Sequence, residues 1–136
     1  MSLDIERVLG LSARQAIRAE FRFSPEAPLA VGVELLVQGG PRVLWRIGRD
    51  LLHQGLRSAT GFGDVRMWPS PSEEPATAWL QLTSRETAAL FEIPVRPLAE
   101  WLECTYGLVP AGREVDMIDW AVTAADLLRR PTSDSD

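Results

Sequence analysis

The sequence predicts a single α+β domain in which an antiparallel β-sheet of about six strands carries helices on one face. Between residues 16 and 93, apolar side chains recur at every second position in short segments, which is the period of half-buried strands. Beyond residue 95 the apolar spacing changes to three and four residues, which is the period of amphipathic helices. The chain length of 136 residues is near the common size of one domain, and the sequence shows no internal repeat.

Six segments show the alternating pattern, and stretches rich in glycine or proline separate several of them. In the first segment, Ile17, Ala19 and Phe21 alternate with arginine and glutamate, and we expect these apolar residues to face the core. In the second and third segments the inward residues predicted by the same alternation are Leu29, Val31, Val33, Leu35, Val37, Val43, Trp45 and Ile47. In the segment 76–83 they are Ala78, Leu80 and Leu82, with Trp79 on the opposite face. The predicted strands are 16–23, 29–37, 42–47, 65–69, 76–83 and 86–93.

Helical spacing follows the third strand and dominates the C-terminal part of the chain. The first helix ends at Gly55, because glycine commonly terminates helices, and Pro131 ends the last one. Between the strands, residues 61–64 are predicted to form a tight turn and residues 69–75 a polar loop. The predicted helices are 49–56, 95–106 and 115–129.

Charge and composition narrow the functional classes. The net charge of −5 argues against a dedicated nucleic-acid-binding protein, because such proteins gain affinity by neutralising phosphates. Residues 1–70 carry nine arginines against seven acidic residues, whereas residues 71–136 carry five against twelve. No apolar run approaches the roughly 20 residues that cross a bilayer, and the N-terminal residues lack the pattern of a signal peptide. We therefore expect a cytoplasmic protein.

Candidate catalytic groups are few. Cys104 is the only cysteine and His53 the only histidine, and no nucleophile motif or orienting group accompanies them. We expect Cys104 to be a buried small residue and His53 to be a partly exposed helix residue. The turn containing Gly61 and Gly63 lacks the third glycine of a dinucleotide-binding fingerprint and the lysine of a phosphate-binding loop. We therefore predict no enzyme activity, no metal site and no cofactor.

The sheet face away from the predicted helices carries arginine and large apolar residues. The candidates for a partner or subunit interface are Leu44, Arg46, Arg66, Trp68 and Trp79. Tryptophan and arginine are enriched at binding hot spots, and a large apolar patch that meets solvent commonly marks an interaction site. Three interpretations stay open: an interface, a reversed assignment of the two faces that makes the tryptophans core residues, and a platform on which single-stranded bases stack.

Residues 49–69 resemble the central signature of the SsgA-like (SsgB-type) sporulation-specific cell division proteins of actinomycetes. The matching pattern is Arg-Asp-Leu-Leu, then a Gly-Leu pair, then Thr-Gly-x-Gly-Asp-Val, and finally Arg-x-Trp-Pro. Further matches are Ser84, Glu86, Ala89, Leu90, Pro94, Leu98, Glu100, Leu102, Val109, Pro110, Gly112 and Glu114. The resemblance covers residues 14–130, which divides the chain into an N-terminal extension at 1–13, an SsgA-like domain at 14–130 and a disordered tail at 131–136.

The resemblance implies a protein without catalytic activity that acts in septum-site selection and helps to recruit the tubulin-like division protein FtsZ. It implies a Whirly-like fold and a homotrimer, with FtsZ and other SsgA-like proteins as partners and a location at the division septum. Nucleic acid is not an expected partner. Because Whirly relatives bind single-stranded nucleic acid, a single-stranded nucleic-acid-binding protein stays the alternative.

Overall fold

The computed structural model describes residues 1–37, 39–85 and 87–113, and these form an α+β unit with eight strands and two helices. The α+β class predicted from the sequence is confirmed, whereas the predicted strand count was too low. In chain order the elements are β1 (Ser2–Val8), β2 (Arg14–Arg22), β3 (Ala30–Leu36), β4 (Arg42–Gly48), α1 (Arg49–Gly55), β5 (Thr60–Phe62), β6 (Val65–Glu73), β7 (Ala76–Ser84), β8 (Thr87–Pro94) and α2 (Val95–Leu108).

The two strands that the sequence prediction missed are β1 and β5. β1 comes from the segment assigned to an N-terminal extension, and it lies between β2 and β8 in the sheet. Its only buried side chain is Ile5, so its apolar alternation is weak. β5 has three residues, fewer than the roughly four to eight over which alternation is recognised. Both segments are strands because they pair with neighbouring strands, and their local sequence patterns do not show this.

All neighbouring strands are antiparallel, and their order in the sheet is β4-β3-β2-β1-β8-β7-β6-β5. The chain forms two successive units of four strands and a helix, which join where β1 pairs with β8. Helix α1 packs against β4 at one end of the sheet and against β5 and β6 at the other. The sheet therefore curls around its helices. We call the side under α1 and α2 the covered face, and the opposite side the open face.

The covered face forms the hydrophobic core. The ring centroids of Phe21 on β2 and Trp101 on α2 lie 5.9 Å apart, and Leu98 and Leu102 of α2 are fully buried. Burying a side chain of this size stabilises the fold by about 1.5–3 kcal/mol. The inward orientation predicted from the alternating pattern is confirmed for Ile17, Ala19, Phe21, Val31, Val33, Leu35, Ile47, Ala78, Leu80 and Leu82.

Some predicted features differ from the structure. Leu29 and Val43 were predicted to face the core, but they are 57% and 43% exposed. Leu29 precedes β3, and Val43 lies on β4, which has a neighbouring strand on only one side among the described residues. The predicted polar loop at 69–75 belongs instead to the β6–β7 hairpin, in which the pairing register shifts between Pro69 and Glu73.

The predicted helices at 49–56 and 95–106 are confirmed as α1 and α2, and α2 extends to Leu108. The predicted helix at 115–129 and the predicted tail at 131–136 lie outside the described residues. Within the described ranges, no helix has the length and apolar character needed to cross a membrane.

Arg49, the first residue of α1, is buried between two aromatic side chains. Its guanidinium carbon lies 4.0 Å from the ring centroid of Tyr106 and 4.9 Å from that of Phe23. Its Nη1 atom donates a 3.0 Å hydrogen bond to the carbonyl oxygen of Thr105. These contacts join the start of α1 to the C-terminal turns of α2 and to Phe23, the residue that follows β2.

Candidate partner-binding surface

The five residues predicted as an interface lie on the open face, but in two separate groups. Arg66 and Trp68 are on β6 and Trp79 is on β7, whereas Leu44 and Arg46 are on β4. Four strands, β3, β2, β1 and β8, lie between β4 and β7 in the sheet. The five residues therefore do not form one continuous patch along the sheet, and each group has its own surroundings.

Trp68 and Trp79 form a directly opposed pair across β6 and β7. Both indoles are half-buried, while Met67 and Leu80, which neighbour them along the strands, are fully buried on the covered face. Because successive side chains of a strand point to opposite faces, the indoles belong to the open face. The interpretation with reversed faces is thereby excluded for these two residues.

Arg14 lies over the indole of Trp79 and ties it to a polar network. The guanidinium carbon of Arg14 is 5.7 Å from the Trp79 ring centroid, within the range of a cation–π contact. Arg14 donates hydrogen bonds to Glu92 and, at 3.2 Å, to Glu6. Thr77 donates a 2.6 Å bond to Glu92, and the hydroxyl of Ser70 lies 2.6 Å from that of Thr77. The tryptophan pair therefore has an ordered polar border on the side of β8.

Glu92 is held in its ionised form by this network. Partial burial would raise the pKa of its carboxyl, but the hydrogen bonds from Thr77 and Arg14 and the charge of Arg14 outweigh burial and lower the pKa. The hydrogen bond to Glu92 also raises the pKa of the Arg14 guanidinium. Both charges therefore persist at neutral pH beside Trp79.

We expect Glu92→Gln protein to lose less stability on acidification than the unmodified protein. A carboxyl with a lowered pKa in the folded state contributes stability above its unfolded pKa of about 4.3, and this contribution disappears as the pH falls through the folded pKa. Urea unfolding of both proteins near pH 6.5 and near pH 3 measures the difference. The pKa of Glu26 is also lowered. Because both proteins contain Glu26, its contribution to the acid-induced loss cancels in the comparison. An equal acid-induced loss in the two proteins would contradict the role of Glu92.

The β5–β6 hairpin carries an exposed aromatic side chain at this end of the sheet. The residue, Phe62, is paired with the buried Val65 and therefore lies on the side of the covered face, at the sheet edge. Phe62 is 85% exposed and borders an open groove of about 540 Å³, which Arg66, Trp68 and Gln81 also line. Gly63 has a φ of +60°, in the left-handed region that favours glycine, and makes the tight turn. The turn predicted at 61–64 is confirmed at Gly63 and Asp64, whereas residues 61 and 62 belong to β5. Phe62 was not predicted as a surface feature. The available signal was an aromatic residue inside a predicted turn, because turns and loops usually lie on the protein surface.

The second group lies on β4, at the other end of the sheet order. Leu44 is 58% exposed, and Arg46 is exposed beside it. Leu44 is close to Gly32 on β3: a Cβ atom placed on that glycine would lie 3.8 Å from Leu44 Cδ1. This end of the open face is therefore apolar at Leu44 and cationic around it.

His53 and Cys104, the candidate catalytic pair, lie on α1 and α2 and have separate environments. His53 Nδ1 accepts a hydrogen bond from Arg57 at 3.3 Å, and His53 Nε2 lies 3.7 Å from a carboxylate oxygen of Glu103. His53 also makes an edge contact with the ring of Tyr106. The prediction of a partly exposed His53 is confirmed, but the prediction of a buried Cys104 was wrong, because its position on α2 is exposed. The described residues contain no group of His, Cys, Asp and Glu that could hold a metal ion.

Two of the similar proteins are sporulation-specific cell division proteins named SsgB. The protein of Salinispora tropica is 37% identical over 124 residues, which cover 87% of each chain. The protein of Streptomyces coelicolor is 36% identical over 112 residues, which cover 82% of each chain.

Two solved structures are also similar. One comes from work on SsgB mutations that correlate to longitudinal cell division during sporulation of Streptomyces coelicolor. It has a TM-score of 0.82 and 34% identity, and the match covers 86% of this chain and 92% of that one. The other is an SsgA-like sporulation-specific cell division protein from Thermobifida fusca, with a TM-score of 0.84 and 33% identity, covering 93% and 92%. The family model described as "Streptomyces sporulation and cell division protein, SsgA" matches residues 17–114. The chain therefore belongs to the SsgA family of sporulation and cell division proteins.

Proposed function

We propose that this protein is a non-enzymatic adaptor of sporulation-specific cell division, which acts in septum-site selection and recruits the division protein FtsZ. It works in the cytoplasm at the division septum as a homotrimer, through protein–protein contacts with FtsZ and with other SsgA-like proteins. Family membership supports the role in sporulation and division. The single structural observation that carries the adaptor role is the Trp68–Trp79 pair on the open face.

The pair has the composition of a protein-binding hot spot. Tryptophan and arginine are the residues most enriched at such spots, which are typically apolar at the centre and polar at the rim. Here the two indoles form the centre, and the Arg14–Glu92 network on one side and Arg66 on the other form the rim. The open groove beside Phe62 continues the apolar surface and offers a depression into which a partner side chain fits.

The alternative of a single-stranded nucleic-acid-binding protein has weaker support. A stacking platform needs aromatic rings beside cationic groups that face the phosphates. Trp79 pairs across the strands with Glu92, whose carboxylate stays ionised because its pKa is lowered. Arg14, the cation over the ring, already bonds to Glu92 and Glu6. A bound phosphate would therefore meet two carboxylates beside the ring.

We expect the Trp68→Ala/Trp79→Ala variant to remain folded and to lose binding to purified FtsZ, or to lose its trimeric mass, or both. Truncating a hot-spot residue costs at least about 2 kcal/mol of binding, which weakens affinity roughly thirtyfold or more. Light scattering coupled to size-exclusion chromatography measures the mass, and biolayer interferometry measures FtsZ binding. Leu11→Ala is the matched control, because Leu11 is an exposed apolar residue in the loop between β1 and β2.

The outcomes separate the adaptor role from the surface assigned to it. If the unmodified protein is monomeric and does not bind FtsZ, the adaptor proposal fails. If it assembles and binds, and the double variant does the same, the function stands but the tryptophan pair is not the contact. Binding to an oligothymidine that weakens steeply as salt is added would support the nucleic-acid alternative instead.

A further inference from the structure

The open face of β2, β3 and β4 carries four arginines at the corners of a three-by-three grid. Strand pairing aligns the rows, and Glu34 of β3 occupies the centre. From one end of the strands to the other, the rows are Arg22–Gly32–Arg46, Glu20–Glu34–Leu44 and Arg18–Leu36–Arg42. We call Arg22, Arg42 and Arg46 the arginine frame: Arg42 and Arg46 flank the exposed Leu44 on β4, and Arg22 lies across the grid on β2.

The arginine frame carries more positive charge than its neighbours balance. Arg18, the fourth corner, is paired with Asp4 at 2.8 Å. Arg22 and Arg42 approach the same carboxylate, Glu34, at 3.8 and 4.0 Å, which is too long for a hydrogen bond. In the described part of the chain, no carboxylate lies within ion-pair distance of Arg46. The frame is thus a local cationic surface on a chain with a net charge of −5.

The arginine frame borders an open strand edge. β4 is the last strand of the sheet, so one of its backbone edges faces no other strand among residues 1–37, 39–85 and 87–113. An exposed edge of unpaired backbone groups is a template for a further strand. Val43 and Leu44 are 43% and 58% exposed on opposite faces of β4, so both sides of an added strand would meet apolar atoms here.

We propose that the β4 edge binds an extended segment of a partner protein in which acidic and apolar residues alternate. The segment adds to the sheet as a strand next to β4. Its carboxylates lie on the open face near Arg42 and Arg46, and its apolar side chains lie against Val43 and Trp45 on the other face. Backbone pairing of this kind supplies affinity, and the alternating side chains supply specificity. The proposal rests on the adaptor function and identifies one chemical class of partner for it.

A peptide fits this end of the sheet better than a nucleic acid does. In the described part of β2, β3 and β4, the open face carries no aromatic residue on which a base could stack. Trp45, the aromatic residue of β4, belongs to the row that faces the core side, opposite Val33. The apolar Leu44 and the unpaired backbone edge suit a peptide strand, whereas a phosphate backbone would use the arginines alone.

The test uses a fluorescein-labelled peptide of alternating glutamate and valine that matches the seven residues of β4. Fluorescence polarisation compares its affinity for the unmodified protein with that for Arg42→Glu/Arg46→Glu. We expect binding that weakens with added salt and a loss of about tenfold or more in the variant, because both contacts become repulsive. Arg96→Glu, on the exposed side of α2, is the matched control with one charge reversal and should bind normally.

Two further probes test the geometry. A lysine–valine peptide should not bind, and a glutamate–valine peptide N-methylated at alternate residues should bind much more weakly, because it lacks the donors for strand pairing. The proposal is overturned if the three peptides bind with equal affinity. It is also overturned if the glutamate–valine peptide binds the unmodified protein and Arg42→Glu/Arg46→Glu equally well. A lower mass of the arginine variant in light scattering also overturns it, since the edge would then join copies of this chain. If an oligothymidine displaces the acidic peptide and itself depends on Arg42 and Arg46, the site binds nucleic acid instead.

Failure here is distinguishable from failure of the adaptor function. The adaptor function is tested by trimer mass and FtsZ binding through Trp68 and Trp79, on β6 and β7. The edge site is tested by peptide affinity through Arg42 and Arg46, on β4. A protein that assembles and binds FtsZ but ignores the acidic peptide would retain the first proposal and lose the second.

Discussion

Arg49→Ala is expected to lower the free energy of unfolding by about 3 kcal/mol, because it removes a large buried side chain that stacks on two rings and donates a hydrogen bond. The side chain is 1% exposed and lies between the rings of Tyr106 and Phe23. Its removal leaves a cavity between α1 and α2 and deprives the Thr105 carbonyl of its 3.0 Å donor. The two helices would lose the contact that orients them on the covered face.

Urea unfolding followed by circular dichroism measures this change. The free energy of unfolding of Arg49→Lys should lie between that of the unmodified protein and that of Arg49→Ala. The lysine ammonium keeps the charge but lacks the planar fork that stacks between two rings. Arg96→Ala is the control, since Arg96 is exposed on α2 and surface substitutions usually change stability by no more than about 0.5 kcal/mol. A similarly small effect of Arg49→Ala would mean that the buried contacts of Arg49 do not stabilise the fold.

Gly55→Ala is expected to destabilise the protein by about 1–3 kcal/mol, because a methyl group does not fit between α1 and β6. A Cβ atom at residue 55 would lie 2.5 Å from Met67 Cγ and 2.6 Å from Met67 Cβ. A new rotamer of Met67 cannot move its own Cβ atom, so the helix or the strand has to shift. The adjacent residues on β6, Arg66 and Trp68, point to the open face, so this shift would also disturb the proposed interface.

The control for this substitution is Gly107→Ala on α2. A Cβ atom at residue 107 would have no neighbour within 4 Å, and alanine is favoured over glycine inside helices by about 1 kcal/mol. We therefore expect Gly107→Ala to be neutral or stabilising and Gly55→Ala to be destabilising, as measured by the midpoint of urea unfolding. If both substitutions shifted the urea midpoint in the same direction, the result would contradict the close approach of α1 to β6.

The arrangement of the predicted interface was only partly accessible from the sequence. Alternation in residues 76–83 placed Ala78, Leu80 and Leu82 inward and Trp79 outward, as the structure has them. It could not reveal that Trp68 and Trp79 are directly opposed, because register is set by pairing and not by composition. Alternation also could not show that Leu44 and Arg46 lie far from the tryptophans in the sheet. The order of the strands in the sheet differs from their order in the chain.

The exposure of some side chains could also not be predicted from the local sequence pattern. Val43 has the period of a core residue, yet it is exposed, because β4 has no second neighbouring strand in the part of the chain that the structure describes. Cys104 lies on a helix with a clear apolar stripe, but its position on that helix faces away from the core. In both cases the exposure of the side chain depends on whether another element packs against it. That element comes from a distant part of the sequence, so local residue order does not show it.

By itself, the sequence determined the α+β class, six of the eight strands and both helices in the described residues, and the family. Each of these depends on short-range periodicity or on a contiguous motif, which local residue order encodes directly. Only the tertiary structure decided that residues 2–8 form a strand inside the sheet and that Arg49 is buried between two rings. It also decided that Glu34 of β3 lies between Arg22 of β2 and the Arg42–Leu44–Arg46 face of β4, which is the last strand of the sheet among the described residues. Each of these features joins residues from distant parts of the chain. The free energy that produces them comes from pairing and burial across the whole sheet.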